Sequence, residues 1–204
     1  IGSIMETQTD NDTGVWSDPL YHFYPQLNKN QAKKLSFAER KKYIENVMRE
    51  IYIDQELVIN NKITDYKRHW GKHKEQIENA LSEAFEAECK SLFNDLRCYI
   101  SINPIEPRFL KEQYFEVFYF NSERGAIGVV LHEIIHIVWF YVWNKIYGDS
   151  FDEYERPSLK LILSEMVVET IKSDERLSSI NPYYPRENGG CIYPCFFDMK
   201  AFII

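Results

Sequence analysis

The sequence has no surplus of positive charge: 31 acidic residues outnumber 24 basic ones, for a net charge of -7. Such a chain repels phosphate backbones. No stripe of lysine and arginine interleaved with aromatics runs against that balance, which argues against a nucleic-acid partner and disfavours acidic substrates. Cysteine is sparse as well. Cys89, Cys98, Cys191 and Cys195 are scattered, with only the last two close together. A disulfide framework would be denser and a zinc ribbon would need two tight pairs, so these read as reduced thiols. No basic-then-apolar leader ending in small residues opens the chain, which makes the cytoplasm the expected compartment. No internal repeat or low-complexity tract is present. Only one long apolar run occurs, Ala126 to Trp143. A lone span has nothing to pair with in a bilayer and the mean hydropathy is -0.42, so the run is expected to be a core helix, not a membrane span.

What is present suffices for a packed globule, since 45% of residues are hydrophobic and 15% aromatic. Residues 1–20 lack a periodic apolar pattern and are expected to be a loose tail. Residues 21–96 read as a helical amino-terminal lobe. Ser36-Phe37-Ala38-Glu39 has the spacing of a capping box, and Phe37, Tyr43, Ile44, Val47, Ile51 and Ile53 follow at helical intervals. A second helix is expected from about Ile63 to Leu96, with a kink at Gly71. Residues 97 to 204 read as the core of the same compact domain. Cys98 to Ile102 and Tyr114 to Phe120 are strand-like. Asn121-Ser122-Glu123 then caps a helix over roughly Arg124 to Ile146, and Pro157 opens another from about Ser158 to Lys172. The segment after Asn181, rich in proline, glycine and aromatics, reads as ordered coil.

The chemistry concentrates in His132-Glu133-Ile134-Ile135-His136. Residues four apart on a helix stand one above the other, so both imidazoles can reach one ion at about 2.0–2.1 Å with Glu133 beside the open position. The surrounding residues Val129, Val130, Leu131, Ile137, Val138, Trp139 and Phe140 leave the helix no polar side, so Glu133 must be buried. A buried carboxylate needs a compensating cation, which a divalent ion provides. The rival reading is a core helix whose histidines bond to backbone carbonyls while Glu133 pairs with a lysine or arginine. A second signal is a pair of carboxylates, Glu165 and Glu169, that interrupts the apolar helical stretch Leu163 to Glu169, with Glu165 29 residues beyond His136. Glu165 is the expected third ligand, and Glu169 the acceptor that holds the other N–H of one histidine and fixes its tautomer. Either acid could instead face water at the helix edge. His69 and His73 are also one turn apart, but charges flank them and no base lies between, so they read as a solvated face.

His-Glu-x-x-His on one helix and Glu-x-x-x-Glu on a later one resemble the gluzincin branch of the zincin metallopeptidases, which includes the thermolysin-like enzymes. The similarity spans about residues 97 to 172. Where that family carries Asn-Glu-x-x-x-Asp, this chain has Ser164 and Glu169 in place of the Asn and Asp. The resemblance implies an α+β, zincin-like fold, mostly helical, with a small mixed β-sheet packed on the motif helix. It likens the strand Tyr114 to Phe120 to the zincin edge strand along which extended substrates pair. It also implies a Zn2+ cofactor held by His132, His136 and Glu165, and hydrolysis of a peptide or protein substrate by Glu133-assisted attack of a zinc-bound water. The family's further oxyanion donor is a His or Tyr from a later segment, which here points to Tyr183 and Tyr184, with Tyr154 behind them. Two alternatives share these residues: a zinc hydrolase of non-peptide amides or esters, and a zincin-shaped binding module without turnover.

Overall fold

The computed structural model describes Ile4 and residues 17–148, 159–181, 184–185 and 191–192, with backbone alone at 17, 18, 159, 169, 184, 185, 191 and 192. The elements, in chain order, are α1 (Ser17–Phe23), α2 (Lys29–Ala32), α3 (Phe37–Ala84), α4 (Leu92–Asp95), β1 (Arg97–Ser101), β2 (Arg108–Phe109) and β3 (Tyr114–Phe118). They continue with α5 (Glu123–Tyr147), α6 (Leu159–Lys172), α7 (Glu175–Ser178), β4 (Tyr184–Pro185) and β5 (Cys191–Ile192). The chain is mostly helical, with a small mixed three-stranded sheet near the motif helix.

The capping box forms as the spacing predicts. Glu39 Oε2 accepts from the Ser36 N–H at 3.0 Å and from its hydroxyl, while Ser36 Oγ accepts from the Glu39 N–H at 3.5 Å. The helix it starts does not stop near Ile53. The two expected helices are one, α3, 48 residues long, running through Gly71. No proline or glycine separates residues 54 to 62, so that mostly exposed stretch, in which Ile59 is buried, continues one helix. The end comes earlier than expected, at Ala84 instead of Leu96, where the Ala87 N–H turns back to the Ser82 carbonyl and Glu86 adopts a left-handed φ of 48°.

The sheet has the order β1-β3-β2. β2 and β3 are antiparallel, with Arg108 opposite Phe115 and Phe109 opposite Tyr114. At the other side the Arg97 N–H donates to the Gln113 carbonyl and the Tyr119 N–H to the Ser101 carbonyl, both at 3.0 Å. Partner numbers that rise together mean parallel strands, so β1 and β3 are parallel. β3 is therefore central and buried along most of its length, not an edge strand with a free ladder for a substrate.

The chain divides into two compact units. One comprises Ile1–Ile63, Ile100–Pro107 and Glu116–Tyr119. Its core includes Leu20, Tyr24, Leu27, Ile44, Met48, Ile102 and Phe118. The Tyr24 hydroxyl donates to the Ile102 carbonyl at 2.6 Å, and the Phe23 and Tyr24 rings meet that of Phe118 edge-on. The other comprises Thr64–Tyr99, Arg108–Phe115 and Phe120–Ile204. Its centre is α5, capped by Ser122, whose Oγ accepts from the Gly125 N–H at 3.0 Å, and closed by Gly148 in the left-handed region. One helix among the described residues, α5, is long and apolar enough to cross a membrane, and 78% of its apolar window is buried inside the protein, as in a core helix. α5 and α6 pack along one another. The buried Lys172 of α6 donates to the Gly128 carbonyl at 2.7 Å, and the buried Asn181 lies against Gly128.

Candidate metal centre

His132 and His136 occupy one face of α5 because four residues make just over one helical turn. Their rings meet edge-on with centroids 4.7 Å apart, and their Nε2 atoms are 3.1 Å apart. α6 brings Glu165 to the same point: its Oε1 is 3.4 Å from His136 Nε2 and its Oε2 3.7 Å from His132 Nε2. The three side chains offer ligand atoms that all lie within 4.8 Å of one another. An ion with four ligands at about 2.0–2.1 Å places neighbouring donors roughly 3.4 Å apart, so the observed spacings fit a tetrahedral site with one corner open. Two nitrogens and one carboxylate oxygen are the donor set of a Zn2+ centre. The shielding is uneven, since the His136 side chain is fully buried while that of Glu165 is 41% exposed.

The electrostatics favour a metal at neutral pH. Burial, with the neighbouring His136 and Lys172, outweighs the pull of the carboxylates and brings the His132 imidazole down to about 4. It is therefore neutral, with a lone pair to donate. Burial would raise the Glu165 carboxyl, but the His136 hydrogen bond and the two imidazoles outweigh it and hold the group at about 2, ionised and ready to ligate.

Glu133 is buried, as its apolar surroundings predict. Its Oε1 is 3.9 Å from His132 Nε2, and its Oε2 accepts from Arg108 Nη1 at 2.7 Å. Burial pushes this carboxyl up, yet Arg108 and then the two imidazoles outweigh it and hold the group below the usual carboxylate range. The pairing with an arginine is the one the plain core-helix reading called for. The histidines do not follow that reading, because they turn their Nε2 atoms toward each other and toward Glu165. Sequence reasoning missed Arg108. It lies in a two-residue strand with no periodicity, 25 positions from its partner.

The remaining expected site residues fall elsewhere. Glu169 lies on α6, but its side chain is outside the described residues, as is that of Tyr184; Tyr183, Tyr154 and Cys195 are outside them altogether. Among the described residues nothing accepts from His136 Nδ1, which is buried. Ser164 is buried and bonds to the Leu161 carbonyl at 2.8 Å. His69 and His73 are not a plain solvated face: His69 is half-buried, meets His73 edge-on, and has its Nδ1 3.7 Å from Glu123. Among the described residues the two do not join a third donor as His132 and His136 do. Cys89 is a buried free thiol.

His132-Glu133-x-x-His136 with a downstream Glu165 matches the gluzincin-type motif of the zincins, and the arrangement supports a zinc-dependent hydrolytic site, consistent with peptidase-type catalysis. No family model, no curated protein and no solved structure matches the chain.

Proposed function

We propose that the protein is a zinc peptidase that cleaves peptide or protein substrates, with Glu133 as general base and then general acid. The observation that carries this reading is the position of the Glu133 carboxylate: one oxygen faces the converging donors of His132, His136 and Glu165, and the other is tied back to Arg108. A bound Zn2+ supplies Lewis acidity there, polarising a carbonyl and lowering the pKa of water. Glu133 Oε1 accepts a proton from the attacking water as its oxygen bonds to the carbonyl carbon. The carbon–oxygen π pair moves onto the carbonyl oxygen. When the carbon–nitrogen bond breaks, the oxygen pair re-forms the carbonyl and Glu133 returns the proton to the departing nitrogen, leaving a carboxylic acid and an amine; the acid's remaining proton then passes to the amine, giving carboxylate and ammonium. His132 and His136 hold their positions. By the family pattern Glu169 would fix one imidazole through its second N–H, and Tyr183 or Tyr184 would add a donor to the carbonyl oxygen.

The test is turnover of a fluorogenic peptide library, with simple amides and esters as parallel substrates and zinc content measured on every sample. Peptide cleavage that falls about a hundredfold or more in Glu133→Gln, with zinc retained, is the expected result. Amide or ester cleavage alone would move the substrate class, and stoichiometric zinc with no hydrolysis would leave a binding module. Loss of zinc in His132→Ala completes the assignment of the ligands.

A further inference from the structure

We propose that Arg108 is a second charged group of the reaction centre, a direct donor to the anionic oxygen formed beside the metal, so that the site recognises tetrahedral oxyanions through this guanidinium. The proposal rests on the metal-centre reading above and goes beyond it.

Arg108 is held from the backbone outward. Its strand, β2, is paired in register with β3, Arg108 standing opposite Phe115. The side chain is only 16% exposed. The Glu133 carboxylate lies between Arg108 and His132, Oε2 toward the guanidinium and Oε1 toward the imidazole. The cation is thus one carboxylate removed from the metal donors, and its charge acts on both Glu133 and Glu165. A guanidinium carries five N–H donors in a planar fork. Among the described residues Glu133 is the hydrogen-bond partner of Arg108, through Nη1 alone. The other donors are uncommitted, on a group that stays charged at any working pH. A fixed, partly buried donor aimed where negative charge develops is the arrangement that stabilises an oxyanion strongly, because it needs no reorganisation when the charge appears. Arg108 also holds Glu133 in place, and the experiment separates the two roles.

The zinc-loaded full chain is titrated calorimetrically with phenylphosphonate, a tetrahedral anion, and with imidazole, a neutral ligand for the metal. Arg108→Met should weaken phenylphosphonate binding about tenfold or more while imidazole binding stays within about threefold. Arg108→Lys should recover part of the loss. The decisive comparison is made in the Glu133→Gln background, where no carboxylate remains to be positioned. If Arg108→Met still weakens phenylphosphonate binding there by about tenfold, the contact is direct. Equal affinities for Glu133→Gln and the double variant would overturn the proposal and leave Arg108 a positioning residue for Glu133. The double variant removes both members of the buried pair, so it strands no lone charge. Zinc content is measured independently: a wild-type protein that takes up no zinc overturns the metal-centre reading and this proposal together, an outcome distinct from zinc binding with no dependence on Arg108.

Discussion

Glu133 is balanced by a cation before any substrate arrives, and that changes what happens when it takes a proton. The Arg108 guanidinium compensates its charge in the resting site. Once the carboxylate is neutralised, the guanidinium is left facing a carbonyl oxygen that has become negative in the same event, so the positive charge passes from one anion to the next without moving. His132 supplies a prediction at this scale. Its folded-state value of about 4 lies below the ordinary 6.5 of an imidazole. Between those values the unfolded chain binds a proton that the folded, metal-free protein does not, so stability rises with pH across that window and is lost on acidification. The urea midpoint of the chelator-treated protein should be lower at pH 5 than at pH 7, and His132→Gln should shrink the difference. An undiminished difference in that variant would contradict the assignment. The ligands were legible in the sequence because His132, His136 and Glu165 interrupt apolar helices at helical spacing. Arg108 was not, because an ion pair between a two-residue strand and a helix leaves no trace in periodicity.

At the scale of elements, α3 and α5 respond oppositely to the same substitution. Gly71 lies inside α3 with nothing within 4 Å of where a Cβ would stand. Gly71→Ala should therefore raise stability by about 0.5–1 kcal/mol, read from the urea midpoint, since only the cost of ordering glycine is removed. Gly128 in α5 has the Asn181 amide nitrogen where such a Cβ would stand. Gly128→Ala must displace a fully buried side chain and should cost about 1–3 kcal/mol, a loss that pairing with Asn181→Ala should largely relieve. Lys172 of α6 donates to the Gly128 carbonyl, one turn before His132, and so ties α6, the helix that carries Glu165, to α5. Helix starts were readable because Ser36 and Ser122 cap them. The unbroken length of α3 was not, because a polar interval in the pattern marks exposure as readily as it marks an end. The central place of β3 was hidden too: aromatic and β-branched residues announce β3, and Cys98 to Ile102 announce β1, whereas the neighbour on the other side, β2, is two residues that carry no strand signal of their own.

For the whole molecule, metal binding and folding are linked through one of the two compact units, the one that holds α5 and α6. An ion bound to the folded chain at about a hundred times its dissociation constant adds about 2.7 kcal/mol of stability. Chelation should lower the melting temperature accordingly, and hydrogen exchange should quicken in α5 and α6 while α1 keeps its protection. Uniform loss of protection over the whole chain would show that the centre stabilises more than its own unit. The α+β class followed from the resemblance carried by His132, Glu133, His136 and Glu165, whereas the division of the chain into units follows tertiary packing that local pattern does not encode.

The unequal shielding of the three ligands has a consequence for metal traffic. With His136 sealed while Glu165 and, to a lesser degree, His132 reach solvent, an arriving or departing ion passes those two ligands before the buried imidazole. Loading and leakage therefore share one mouth, with His136 at its inner end.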